Sequence, residues 1–171
     1  MSYVSIIEQV FDEFEAFIWA NLPTVIALYN AAQTDLTLVM PKEKYRGDYQ
    51  IDQLKLYPGL LIKPSTIQKN PSGVDRPLVK DVLIFDLSLW IVVAGSSVEQ
   101  MQKLCERYAW ALNEIIDSEK YQPAQNQTAI LNSIRAVTGF DWHALAQNGN
   151  GQLLSAGFVD CEILIQHERA R

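Results

Sequence analysis

Cysteine is scarce in this chain of 171 residues: only Cys105 and Cys161 are present. Two cysteines make no disulfide framework. One falls on the apolar side of a helical pattern and the other on that of a strand, so both are expected to be buried, reduced hydrophobes rather than reactive thiols. Histidine is equally sparse, and His143 and His167 have no metal-ligand spacing. Positive charge is short as well, with 14 Lys and Arg against 20 Asp and Glu and a net charge of -6. Affinity for a phosphate backbone needs clustered cations. Only Lys42, Lys44 and Arg46 lie close together, so no nucleic-acid footprint is expected. No run nears the roughly 20 apolar residues of a membrane span. Met1-Ser2-Tyr3 is not a basic segment ahead of an apolar run, so no secretory leader is expected.

What remains is an ordinary globular composition, 49% apolar and 20% charged, with a length that suits one domain over residues 1–171. Its most informative stretch runs from Asp81 to Asp117. Val82 to Val93 reads as a strand that is apolar on both faces. Leu83, Phe85, Leu87, Leu89, Ile91 and Val93 point one way. Val82, Ile84, Asp86, Ser88, Trp90 and Val92 point the other. One face can pack on the chain's own helices. The second is expected to need another subunit, with Val82, Ile84, Trp90 and Val92 as the interface patch.

Around this strand the pattern predicts a leading helix from Tyr3 to Ala20, ended by Asn21-Leu22-Pro23. Thr24 to Tyr29 reads as a short strand or turn, and Asp35 to Met40 as a strand. Arg46-Gly47-Asp48 reads as an exposed turn. Tyr57 to Ile67 predicts a strand with a proline near each end, which implies an edge or a bulge. With the polar tip Gln68 to Pro77 it forms an extended hairpin around residues 57–93. Ser96 and Glu99 fit a capping box. The helix that follows buries Val98, Met101, Leu104, Cys105, Tyr108, Ala111, Leu112 and Ile115. After a linker, Tyr121 to Thr128, come two strands, Ile130 to Trp142 and Gln152 to His167. They are joined through a bend at Ala144-Leu145-Ala146 and the Asn148-Gly149-Asn150-Gly151 turn. The economical packing is an α+β fold of two layers: a mostly antiparallel sheet with two long helices on one face.

Chemistry-bearing groups are few. Asp86, Asp160 and Glu162 fall on the sheet face away from the helices. If their strands are neighbours, they can converge on a hard cation or share a proton. The competing reading is a solvated or lumen-facing acidic patch. Asp141 and His143 share a strand face, but no serine or cysteine occupies a nucleophile turn. Gly95-Ser96-Ser97 lacks the lysine and second glycine of a nucleotide loop, so helix capping is the better reading. Trp19, Trp90, Trp110 and Trp142 read as core residues, with Trp90 the candidate interface anchor. No catalytic residue, metal ligand or cofactor site is assigned. A small enzyme or ligand-binding domain on the acidic face, or a dimeric adaptor using the apolar face, stays the alternative.

The order of elements resembles a family. A leading helix is followed by a long hairpin (YPGLLIKPSTI, then DVLIFDLSLWIVVAG). An acidic amphipathic helix (SVEQMQKLCERYAWALNEIID) and a closing pair of strands (ILNSIRAVTGFDW, then GFVDCEILIQHER) complete it. This organisation is similar to that of tail terminator and head–tail completion (neck) proteins of long-tailed phages. The resemblance covers almost the whole chain and rests on organisation rather than a diagnostic motif. It implies a structural ring, typically sixfold, that caps the tail tube, ends its polymerisation and presents the head-joining surface. Its partners would be further copies of itself, the tube protein and a head connector or neck protein. DNA would be only passing cargo in the lumen, and no membrane or cofactor is involved. The implied location is the virion tail or neck, after assembly in the host cytoplasm.

Overall fold

A computed structural model describes residues 3–72, 78–117, 133–136 and 141–170. Its elements are α1 (Tyr3–Ala32), β1 (Glu43–Arg46), a short 3-10 turn (Ile51–Gln53), β2 (Gly59–Ser72), β3 (Leu78–Gly95), α2 (Val98–Asp117), β4 (Ser133–Ala136), β5 (Asp141–Gln147) and β6 (Leu153–Ala170). The strands form one mixed, mostly antiparallel sheet in the order β1-β2-β3-β6-β4, with β5 also on β6. Among the described residues only β1 and β2 run parallel. Both helices pack on the same face, which makes the expected two-layer α+β architecture. The linker Tyr121 to Thr128 and part of the hairpin tip lie outside the described residues.

The first helix does not stop at Ala20. It continues through Pro23 to Ala32, so the strand or turn expected at Thr24 to Tyr29 is helical. Proline removes a donor and crowds the carbonyl four residues back. Yet the apolar stripe runs on through Leu22, Val25 and Ile26, all buried, and packing of such a stripe supplies most helical stability in proteins. One turn earlier, the Asn21 side chain donates to the Phe17 carbonyl at 2.8 Å.

Asp35 to Met40 is not a strand, because side chains take up its backbone groups. The Leu38 amide donates to Asn30 Oδ1, and Asn30 Nδ2 donates to the Leu38 carbonyl, each at 2.8 Å. The Tyr108 hydroxyl accepts from the Val39 amide at 3.0 Å and donates to the Val39 carbonyl at 2.8 Å. Arg107 donates to the Leu36 carbonyl at 2.8 Å and pairs with Asp35 at 2.5 Å. Backbone groups must be satisfied somewhere, and here helix side chains satisfy them in place of a ladder.

Strands β2 and β3 form the expected hairpin, paired from Gly59↔Val92 to Ser72↔Lys80 with a bulge between Pro64 and Thr66. The bulge and the edge position are the two accommodations that strand prolines predict. Along its outer side β1 covers only Gly59 to Ile62. Gly47, at φ 120°, a conformation that favours glycine, then turns the chain away.

Of the strand expected over Ile130 to Trp142, the described parts are β4 and the start of β5, and both pair antiparallel with β6; the remainder lies outside the described residues. Ala144 to Ala146 lies within β5, as an irregularity between His143 and Ala146 rather than a bend. The Asn148–Gly151 turn does form, with Gly151 at φ 77° and its amide donating to the Asn148 carbonyl at 2.9 Å.

The cap of α2 is Ser97, one residue later than expected. Its Oγ accepts from the Gln100 amide at 3.4 Å, while Glu99 pairs with Lys103 at 3.1 Å instead of closing a box. Helix α2 lies close on β6 at Gly157. A Cβ there would stand 2.0 Å from the Cys105 carbonyl oxygen, so glycine is what allows the helix to approach.

Candidate functional site

The two sides of β3 have separate fates. Leu83, Phe85, Leu87, Leu89, Ile91 and Val93 are all buried beneath the helices. The opposite side meets β2 and β6 in register, giving rows Gln68–Ile84–Leu164, Thr66–Asp86–Glu162, Lys63–Ser88–Asp160, Leu61–Trp90–Phe158 and Gly59–Val92–Ala156. This second face is the candidate site. It divides into a covered end, an aromatic step and a polar stretch.

The covered end corrects one expectation. Val92 is fully buried, not an interface residue. With Leu61, Leu154 and Ala156 it lies beneath Ile51 and Leu54 in a second, smaller core. The segment between β1 and β2 folds back over this corner. Tyr57 holds it by donating to the Leu54 carbonyl at 2.8 Å, and the Tyr45 hydroxyl accepts from the Lys55 amide at 2.9 Å. Trp90 is half-buried beside this cluster, stacked on Phe158 with ring centres 4.8 Å apart. The Lys63 ammonium lies 4.6 Å from the Trp90 ring centre. Ile84 is also half-buried. The Val82 side chain lies outside what is described; its backbone pairs with Asn70 and Gln166.

The acidic residues do come together, since β3 and β6 are neighbours and Asp86 faces Glu162 across them. Neutral donors bind two of the carboxylates. Thr66 Oγ1 donates to Asp86, joined by Gln68 Nε2 at 3.3 Å, and Ser88 Oγ donates to Asp160. Among the described residues, no group of three or more His, Cys, Asp or Glu is placed to hold a metal ion. Asp141 and His143 have backbones opposite Phe158 and Ala156; their side chains lie outside the description. The thiols sit as expected. Burial pushes Cys105 up to about 11 and raises Cys161 well above its ordinary value, with Asp160 and Asp86 adding to the effect.

Two features escaped the sequence reading. Trp110 is not core: it stands 47% exposed on α2. The signal was available, because position 110 falls outside the helical stripe through Tyr108, Ala111 and Leu112. The other is a cleft of about 200 Å³ where the Val39 loop, the start of β2, the end of β3 and α2 meet. It needs the tertiary fold to exist. A larger cleft of about 530 Å³ lies between Gly95-Ser96 and the β5–β6 turn. Among the described residues no helix is long and apolar enough to cross a membrane. No protein-family model matches this chain, and no curated protein matches it in sequence.

Proposed function

We propose that this chain is a non-enzymatic, ring-forming component of a long-tailed phage tail. It caps the tail tube, ends tube polymerisation and offers the surface that joins the head. Its partners are further copies of itself, the tube protein and a head connector or neck protein, while DNA passes through the lumen. Its place is the virion tail or neck.

The observation that carries this reading is the uneven cover of the sheet. Helices shield one face, while Ile84, Trp90, Phe158 and Leu164 are only half-buried on the other. Strand β3 is also longer than either helix of the cover: its 18 residues span roughly 60 Å at the usual strand rise, against about 45 Å for the 30 residues of α1 and about 30 Å for the 20 of α2. A three-stranded ribbon with amphipathic surface is a natural element for contact with a neighbour, and a ring needs different patches on the two sides of each subunit. The net charge of -6 suits a passage in which DNA does not stick. The resemblance of the element order to that of tail terminators adds to this. On the acidic face, donors from Thr66, Gln68 and Ser88 favour a structural network over a chemical site.

The test is electron microscopy of the purified protein mixed with its own tail tubes. A ring of density at one tube end, with tubes of uniform length, is the expected result. Tubes that keep growing with bare ends would remove the reading.

A further inference from the structure

We propose that the segment between β1 and β2, residues 48–58, is a hinged strap that lifts from the outer sheet face while the rest of the fold stays intact. The apolar surface on that face is then set by the strap and not fixed by the sheet. This goes beyond the ring reading and does not depend on it.

What the strap hides is apolar. Leu61, Val92, Leu154 and Ala156 are fully buried, and they form one cluster with Ile51 and Leu54 of the strap. Three of them belong to the neighbouring rows Leu61–Trp90–Phe158 and Gly59–Val92–Ala156. Trp90 and Phe158 are half-buried even with the strap in place. Lifting it would turn that aromatic step into the border of a wider apolar strip, the kind of surface that marks an interaction site.

The strap is slightly held for its length. Within residues 48–58 only Ile51 and Leu54 are buried; Tyr57 and Pro58 are half-buried and the rest exposed. Helix α2, by contrast, buries a residue in every turn. Each ordered residue costs backbone entropy, and here two buried side chains offset that cost for the whole segment. Regions with few buried apolar contacts are those that open locally, ahead of global unfolding.

Several of its bonds are internal and survive lifting. The Gln53 amide donates to the Gln50 carbonyl at 3.0 Å, and the Gln50 amide donates to Gln53 Oε1 at 2.8 Å. The Tyr57 hydroxyl donates to the carbonyls of Leu54 at 2.8 Å and Ile51 at 3.2 Å. The body holds the strap through Tyr45 of β1, whose hydroxyl accepts from the amides of Lys55 at 2.9 Å and Leu56 at 3.3 Å. Glycines stand at both ends. Gly47 has φ 120°, and Gly59 is the seat of Leu54: a Cβ there would lie 2.8 Å from Leu54 Cδ2 and 3.0 Å from the Leu56 carbonyl oxygen. Small residues at the ends of a segment are common hinges.

The test places a thiol under the strap and uses the two native thiols as an internal reference. Cys105 and Cys161 are buried beneath the helices, so they report opening of the main core. Val92→Cys in the full chain, treated with methyl methanethiosulfonate and read by peptide mass spectrometry, should label at position 92 at least ~100-fold faster than at Cys105 and Cys161. Its rate should not change with low urea, as local opening exposes little surface. Ala156→Cys, on the other strand beneath the same strap, should label at the same rate; it also carries the test if the first substitution disturbs the fold by circular dichroism. Adding Tyr45→Phe should speed labelling roughly 3- to 10-fold, and Gly59→Ala at least ~10-fold, in both cases still without urea dependence. New thiols that label only together with Cys105 and Cys161, and with their urea dependence, would overturn the strap: the corner would then be fixed core.

Discussion

Strand β3 carries nearly the same density of apolar residues on both sides, yet its sides end in different environments. Phe85 is fully buried beneath the helical layer, against Phe11 in an edge-on contact with ring centres 6.3 Å apart. Its neighbour Ile84, on the other side, is half-buried. Six residues further on, Trp90 is half-buried too, while Val92 is sealed off by the returning segment around Ile51 and Leu54. Alternation decides which way a side chain points. What lies above it is decided by elements distant in sequence.

The largest expected effect tests that contrast directly. Phe85→Ala should cost about 3–5 kcal/mol in denaturant unfolding, and Ile84→Ala clearly less. Equal costs would mean that the two faces are alike. Next comes the closeness of the helical layer. Gly157→Ala puts a methyl group against the Cys105 carbonyl and should cost about 3 kcal/mol; a neutral outcome would show that α2 lies further from β6. Tyr108→Phe removes both bonds to the Val39 backbone. It should lower stability by about 1–2 kcal/mol, with faster amide exchange at Val39 as the local readout.

The smallest effect concerns the latch that holds α1 to β1. Glu15 pairs with Lys44 at 2.6 Å and with Arg46 at 3.1 Å. Burial by itself would raise its pKa, but hydrogen bonds and charge from Lys44 and Arg46 prevail and lower it below the ordinary 4.5. A lowered carboxyl stabilises the fold above its unfolded value and loses that contribution as pH falls through the folded one. Thermal melts in acid should therefore fall less steeply with pH for Glu15→Gln than for the parent chain. Identical slopes would leave the latch without an electrostatic role.

The legible part of the fold was the part set by local period. The 3.6-residue stripe of α2 predicted its buried face from Met101 onward, while Val98 at its start is exposed, and Asn148-Gly149-Asn150-Gly151 predicted the turn into β6. The prolines at the start of the long hairpin announced the bulge at Pro64. Misreadings occurred where a local rule met a stronger tertiary term. Pro23 argued for a helix end, and burial of Leu22, Val25 and Ile26 overrode it. The alternation of Asp35 to Met40 suggested a strand, but Asn30 and Tyr108 supply the bonds a ladder would have made. At the candidate site, Asp86 and Glu162 were correctly placed on one face. Val92 was wrongly left bare, since nothing nearby in sequence announces that Ile51 and Leu54 return over it.

By itself the sequence determined the helical and strand periods, the two faces of β3 and the scarcity of catalytic and metal-binding groups. All of these depend on residues within a turn or two of one another. Only the tertiary structure decided which apolar groups stay uncovered, where the cleft beside Tyr108 opens and which partners the carboxylates find. Those outcomes depend on chain segments tens of residues apart meeting in space, and burial, unlike periodicity, is a property of everything that surrounds a residue.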